Sequence, residues 1–192
     1  MKRLLTLSGI LLSMLLPSVA FAHQASGGGF IAGLSHPVLG FDHLLAMLSV
    51  GILSAQMGGR ALWLVPTTFV LVMLVGGVLG LNDIALMSVE TGISISVLVL
   101  GISLTIERKI APILAMCFVG FFAIFHGYAH GIEMPYLANP AYYALGFIVG
   151  TASIHVIGVL IGTIATQLSN GAQLLRYLGA GIAGIGFHLV IM

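Results

Sequence analysis

Two short segments of the sequence concentrate imidazole and carboxylate side chains that can bind a divalent metal ion. Their metal-ligating residues are His36, Asp42, His43, His126, His130 and Glu133. Imidazole nitrogen combined with carboxylate oxygen is a ligand set for a borderline metal such as Ni²⁺, Co²⁺ or Zn²⁺. A thiolate site for Cu(I) is disfavoured, because Cys117 is the single cysteine. The sequence therefore predicts a metal site to which both segments contribute.

The first segment is expected to lie on one helix that begins at about Pro37, since proline suits a first helical turn. His36 and His43 are seven residues apart, which would place them two turns along one face of that helix. Asp42 could then act as a direct ligand, as the hydrogen-bond partner that orients a histidine, or as charge compensation.

The second segment places His126 and His130 at i and i+4, which is the spacing of neighbours on one helix face. Glu133 follows three residues later and would join the same side if the helix continued. Gly131 and Pro135 could instead end the helix first, which would leave Glu133 on a loop.

The composition indicates that the helices which position these segments belong to a membrane protein. Only 6% of the 192 residues are charged, 59% are hydrophobic, and the mean hydropathy is +1.19, whereas an ordinary soluble domain is about 25% charged. A formal net charge of +1 without a basic cluster excludes a nucleic-acid-binding surface. Six apolar stretches have about the length that a bilayer-spanning helix needs. They cover 36–57, 61–81, 89–106, 110–130, 141–166 and 174–191.

The N-terminus has the pattern of a cleavable signal peptide over 1–22. Lys2 and Arg3 precede an apolar run over 4–16, and cleavage after Ala22 would satisfy the small-residue rule. An uncleaved first transmembrane helix is the alternative. With cleavage, the fold is predicted to be all-α and polytopic, with six transmembrane helices following the signal.

Cleavage would leave 23–192 as one six-helix transmembrane domain whose first residue is His23. A terminal histidine offers an α-amine and an imidazole together, and so could chelate the same metal. His23 therefore joins the predicted metal ligands, with an ordinary tail residue as the alternative.

The distribution of charge predicts the orientation. In a six-helix arrangement that starts outside, the loops after helices one, three and five are cytoplasmic. The basic residues in or beside those loops are Arg60, Arg108, Lys109 and Arg176. Basic residues mark the cytoplasmic side, so we expect both mature termini to be periplasmic and the two metal-ligating segments to face outward.

Both segments resemble the recurrent motifs of one family, the HupE/UreJ family of bacterial nickel permeases. The motifs are His36-Pro37-x-x-Gly40-x-Asp42-His43-x-Leu45-Ala46-Met47 and Phe125-His126-Gly127-Tyr128-Ala129-His130-Gly131-x-Glu133-x-Pro135. The resemblance implies a multi-pass inner-membrane secondary permease that takes up Ni²⁺, with Co²⁺ as the alternative cargo. It also implies supply of that metal to hydrogenase or urease, and no prosthetic group.

Two other functions stay open at this point. An intramembrane metal-dependent hydrolase would use the His126 and His130 pair, but the general-base Glu of a His-Glu-x-x-His helix is missing. A haem-binding electron-transfer protein would use histidine pairs across helices. Whether His155 and His188 bind metal or only pair with other helices is also left open, as is the oligomeric state.

Overall fold

The structure is a computed structural model that describes residues 29–107 and 110–192. Within these ranges the chain forms α-helices and no strand, which confirms the predicted fold class. The helices are α1 (Gly29–Leu39), α2 (Phe41–Met57), α3 (Ala61–Leu81), α4 (Val89–Ile106), α5 (Pro112–Ile132), α6 (Pro140–Thr166) and α7 (Gly171–Ile191). The predicted signal peptide over 1–22, His23, Arg108 and Lys109 lie outside the described residues.

Five helices, α3 to α7, are long and apolar enough to cross a membrane. The pair α1 and α2 meets the same test only when taken together, and it bends by 80° between the two helices. The chain is therefore a multi-pass membrane protein with five spans, or six if the bent pair is one span.

The prediction of one unbroken helix over 36–57 is wrong, because the chain leaves the helix at Gly40. Gly40 has φ −78° and ψ 105°, an extended conformation, and glycine is about 1 kcal/mol poorer than alanine in a helix interior. Pro37 consequently lies in the last turn of α1 and not in a first turn. His36 and His43 are on two helices with different directions, and not two turns apart on one face.

Small residues allow the helices to pack closely, as expected where lipid supplies no hydrophobic driving force between helices. Along the contact of α3 with α5, a Cβ on Gly127 would meet the backbone of Met73, and one on Gly76 would meet the backbone of Ile124. The glycines of α6 make equally close contacts with α1 and α2. These approaches fix the second segment, on α5, against α3 and the first segment, on α1 and α2, against α6.

The helix directions agree with an alternating bundle. Taken together, α1 and α2 advance in the same direction as α6, since Gly33 packs on Tyr143 and Gly51 packs further along α6 on Gly158. The order of the glycine contacts along each pair also shows that α3 is parallel to α5 and that α4 is antiparallel to α7. This is the set of directions that six alternating spans require when α1 and α2 count as one.

The bundle therefore has two distinct ends. We call the end that carries Arg60 and Arg176 the basic end; there Arg176 Nε lies 3.1 Å from Glu107 Oε2. The opposite end holds the 82–88 and 133–139 connections, and we call it the acidic end because Asp83 and Glu133 lie in these connections.

Candidate metal site

The structure brings the two histidine segments together in the half of the bundle nearer the acidic end. His130 lies at the centre, with its ring centroid 4.6 Å from that of His36 and 4.7 Å from that of His43. The His43 and His126 rings are also 4.7 Å apart. His43, His126 and His130 are all buried, so four imidazoles from three helices form one continuous cluster inside the membrane protein.

Asp42 determines which nitrogen of His43 carries the proton. Asp42 Oδ1 accepts a hydrogen bond from the backbone N–H of His43 at 2.7 Å and lies 2.9 Å from Nδ1 of its ring. A carboxylate only accepts, so Nδ1 is the protonated nitrogen and Nε2 keeps a lone pair. Nε2 is buried and has no hydrogen-bond partner in the described part of the chain. A carboxylate that orients a histidine in this way is the usual support of a metal-binding imidazole.

Ser96 does the same for His126. Its hydroxyl donates to the carbonyl of Ile93 at 2.6 Å and therefore accepts from Nε2–H of His126 at 2.8 Å. Nδ1 of His126 is left with a lone pair, and it too is buried without a partner among residues 29–107 and 110–192.

His130 has neither ring nitrogen hydrogen-bonded to any described residue. Its ring stacks on Phe147, with centroids 5.2 Å apart and planes 18° apart. A buried polar atom without a partner costs about 1–3 kcal/mol. The three adjacent imidazoles of His43, His126 and His130 therefore carry nitrogens that are available to a ligand.

His36 is different because both of its nitrogens are occupied. Nε2 lies 2.8 Å from Glu133 Oε2, and Nδ1 lies 3.1 Å from the hydroxyl of Tyr143. Nε2–H donates to the carboxylate, so the Tyr143 hydroxyl donates to Nδ1. His36 is a ligand only if an ion displaces one of these two partners.

Glu133 lies directly after the last residue of α5, at the acidic end, and its side chain is 49% exposed. The hydrogen bond from His36 lowers the pKa of the Glu133 carboxyl below its usual value. Glu133 is therefore an ionised group accessible from outside the bundle and in contact with the outermost histidine.

The cluster is not arranged as a finished coordination sphere. In the ranges that the structure covers, no three His, Cys, Asp or Glu side chains are positioned to hold one metal ion together. His43, His126 and His130 have adjacent rings with free nitrogens, so simultaneous binding requires these rings to turn toward a common point.

The comparisons with known proteins identify the family of the chain. A family model described as HupE / UreJ protein matches residues 11–189. The chain belongs to the HupE/UreJ family. It is also 42% identical over 183 residues to Protein HupE of Rhizobium leguminosarum bv. viciae, an alignment that covers 94% of this chain and 95% of that relative. No solved structure matches the chain.

Membership in the HupE/UreJ family confirms the resemblance read from the two motifs. It is a metal transporter family associated with hydrogenase and urease, with nickel or cobalt as the cargo. The prediction of a transporter and not an enzyme is therefore confirmed. The hydrolase and electron-transfer alternatives are not supported.

Two residues of the site were missed by sequence reasoning. Ser96 is one of three serines on α4, but only the packing shows that it contacts His126. Tyr143 lies in the first turn of α6, and nothing in the local sequence connects it with His36 across more than one hundred residues. Contacts between helices that are distant in sequence leave no periodic signal.

Four other ionisable residues lie outside this cluster. Asp83 and Glu90 are exposed at the acidic end, and neither forms an ion pair with a described residue. His188 is exposed on α7. His155 is buried in α6 and is 2% exposed.

Proposed function

We propose that this HupE/UreJ protein is a secondary permease that takes up Ni²⁺ from the periplasm, with Co²⁺ as the alternative cargo. The observation that carries the proposal is the set of free imidazole nitrogens on His43, His126 and His130. Borderline divalent cations prefer such nitrogens. Asp42 and Ser96 support the proposal, because they present a lone pair and not an N–H toward the ion.

Capture begins at Glu133 in this proposal. Its exposed carboxylate attracts the hydrated cation, which then competes with His36 for the same oxygen. Separation of the His36–Glu133 pair admits the ion to the three buried imidazoles, whose nitrogens replace the water that it loses. His36, Asp42, His43, His126, His130 and Glu133 all take part, as ligands or as the groups that orient ligands.

The proposed direction is from the acidic end to the basic end. Basic residues mark the cytoplasmic side of inner-membrane proteins, which supports a periplasmic acidic end and periplasmic termini. The proposal includes removal of 1–22, which leaves 23–192 as the transport domain. It also includes His23 as an accessory ligand at the new N-terminus, and acetylation of that terminus should then weaken metal capture.

The membrane potential can drive this uptake. A potential of about 100 mV, inside negative, is worth about 2.3 kcal/mol per charge and hence about 4.6 kcal/mol for a divalent cation. At about 1.4 kcal/mol per factor of ten, this sustains an accumulation of roughly 2,000-fold. The sequence contains no Gly-x-x-x-x-Gly-Lys-Ser/Thr loop for ATP binding, in keeping with a secondary permease that supplies hydrogenase or urease.

The test is uptake of radioactive nickel by cells that lack other nickel importers. Wild type, His43→Ala and His188→Ala are compared, with unlabelled Co²⁺ and Zn²⁺ as competitors. We expect uptake by wild type and by His188→Ala, since His188 lies on an exposed face of α7, and no concentrative uptake by His43→Ala. Absence of uptake by the wild type would contradict the function, and normal uptake by His43→Ala would contradict the site.

A further inference from the structure

His155 is a buried histidine that lies outside the cluster of His36, His43, His126 and His130, which we call the outer cluster. It lies near the middle of α6, further toward the basic end than Tyr143 and Phe147 of the same helix. It is 2% exposed, and neither of its ring nitrogens has a hydrogen-bond partner within the described chain. An imidazole in this state resembles His130, although it belongs to neither of the two metal-ligating segments.

Phe69 connects His155 with the outer cluster. Its fully buried ring lies 5.5 Å from the ring of His126 and 5.3 Å from that of His155. The rings therefore follow one another from the acidic end toward the middle of the bundle. Their order is His36, His130, His43, His126, Phe69 and His155.

The surroundings of His155 offer it no permanent partner. It borders a groove of about 270 Å³ between α3 and α6 whose walls are largely apolar, with Leu62, Val70 and Val159 among them. Apart from His155, the described residues that line this groove and carry a polar side-chain atom are Trp63 and Thr67. A polar side chain buried among apolar groups is expensive unless it binds something.

We propose that His155 is a second, inner binding station for the transported divalent cation, reached from His126 past Phe69. This inference rests on the proposed function. A cation that leaves the outer cluster needs a replacement ligand, and a neutral imidazole with a free lone pair supplies one. Phe69 keeps the two stations apart, and its ring attracts a passing cation through its π face.

The single imidazole of His155 suits a transport step that shortly precedes release of the ion. Conduction requires sites that bind well enough to receive the ion and weakly enough to lose it. The outer cluster, with free nitrogens on three of its four imidazoles and a carboxylate nearby, is the capture site, whereas His155 with one imidazole holds the ion only in passage. Loss of His155 should therefore slow transport without weakening capture.

The test uses the full chain purified and placed in vesicles with an inside-negative potential, with Ni²⁺ itself as the probe. His155→Phe keeps an aromatic ring against Phe69 but removes both nitrogens, and His188→Phe is the matched control on an exposed face. For His155→Phe we expect the maximal rate to fall at least about tenfold, or about 1.4 kcal/mol. Ni²⁺ binding to the outer cluster should stay within about twofold of wild type, as should both properties of His188→Phe.

A maximal rate for His155→Phe within about twofold of the wild-type rate would overturn the inference. If His155→Phe is not recovered from the membrane, His155→Gln is measured against the same criteria. Vesicles in which the wild type itself moves no Ni²⁺ would contradict the proposed function. An active wild type together with an equally active His155 variant would contradict only the inner station.

Discussion

Ser96 accepts a hydrogen bond from Nε2–H of His126 at 2.8 Å while it gives its own proton to the carbonyl of Ile93. Because the serine proton is already used, the direction of the bond to His126 is fixed. The lone pair of His126 is thereby confined to Nδ1, on a ring whose centroid lies 4.7 Å from that of His43.

Replacement of Ser96 by alanine should release this constraint. We expect Ser96→Ala to raise the nickel concentration for half-maximal uptake by about 10- to 100-fold, the usual cost of losing a group that orients a metal ligand. The maximal rate should change less, because the ligand itself remains. Radioactive nickel uptake as a function of concentration measures both quantities.

Ser54→Ala is the control for this substitution. Ser54 is equally buried and donates to the carbonyl three residues earlier, that of Gly51, at 2.7 Å. It makes no contact with a histidine among the hydrogen bonds of the described residues. Equal effects of Ser54→Ala and Ser96→Ala would show that serine removal acts through helix packing alone and would contradict the orienting role.

We expect nickel uptake to depend on the negative charge of the Glu133 carboxylate. Glu133→Gln keeps an acceptor for His36 but removes the charge that attracts the cation, so we expect uptake at low nickel concentration to fall by about tenfold or more. Asp83→Asn removes a charge at the same end, and asparagine tolerates the positive φ of 53° at this position. Uptake by Asp83→Asn should match wild type; a loss as large as that of Glu133→Gln would indicate general electrostatics and not a specific contact.

Much of this fold could be predicted from composition and apolar length, because a chain in lipid must satisfy its backbone within helices. The break at Gly40 could not be predicted from the sequence, since a glycine inside an apolar stretch is equally compatible with a continuous transmembrane helix. A Cβ at Gly40 would lie 3.2 Å from Nδ1 of His43 and 3.3 Å from Oδ1 of Asp42. A side chain at this position would crowd the Asp42–His43 pair, and that crowding exists only in the folded chain.

The candidate site was predicted in the same partial way. Residue types and spacing were enough to select the histidines and acids, since ionisable groups within membrane helices are costly and need a reason. The partners that orient these histidines could not be selected in this way, because Ser96 and Tyr143 contact His126 and His36 from other helices. The sequence also could not show that His36 already has both nitrogens occupied.

The close contact between α3 and α5 predicts a stability difference between two glycines. A Cβ on Gly127 would collide with the backbone of Met73, whereas a Cβ on Gly181 would meet nothing within 4 Å. Gly127→Ala should therefore lower the thermal unfolding temperature in detergent and the yield from the membrane, since overpacking costs about 1–3 kcal/mol. Gly181→Ala should be neutral or stabilising by up to about 1 kcal/mol, because alanine favours the helix. A Gly127→Ala protein as stable as wild type would contradict the observed helix contact.

Nickel uptake should decline as the external pH falls below about 6, because protons compete with metal for imidazole nitrogen. Glu133 should not cause this decline. The hydrogen bond from His36 lowers the pKa of its carboxyl from the usual 4.5, so the carboxylate stays ionised down to that lowered pKa and is protonated only as the pH falls through it. Glu133→Gln should consequently reduce uptake at every pH without moving the midpoint of the decline. Uptake that stays constant between about pH 5 and pH 8 would contradict capture by imidazole, and a midpoint that shifts in Glu133→Gln would assign the titration to the carboxylate.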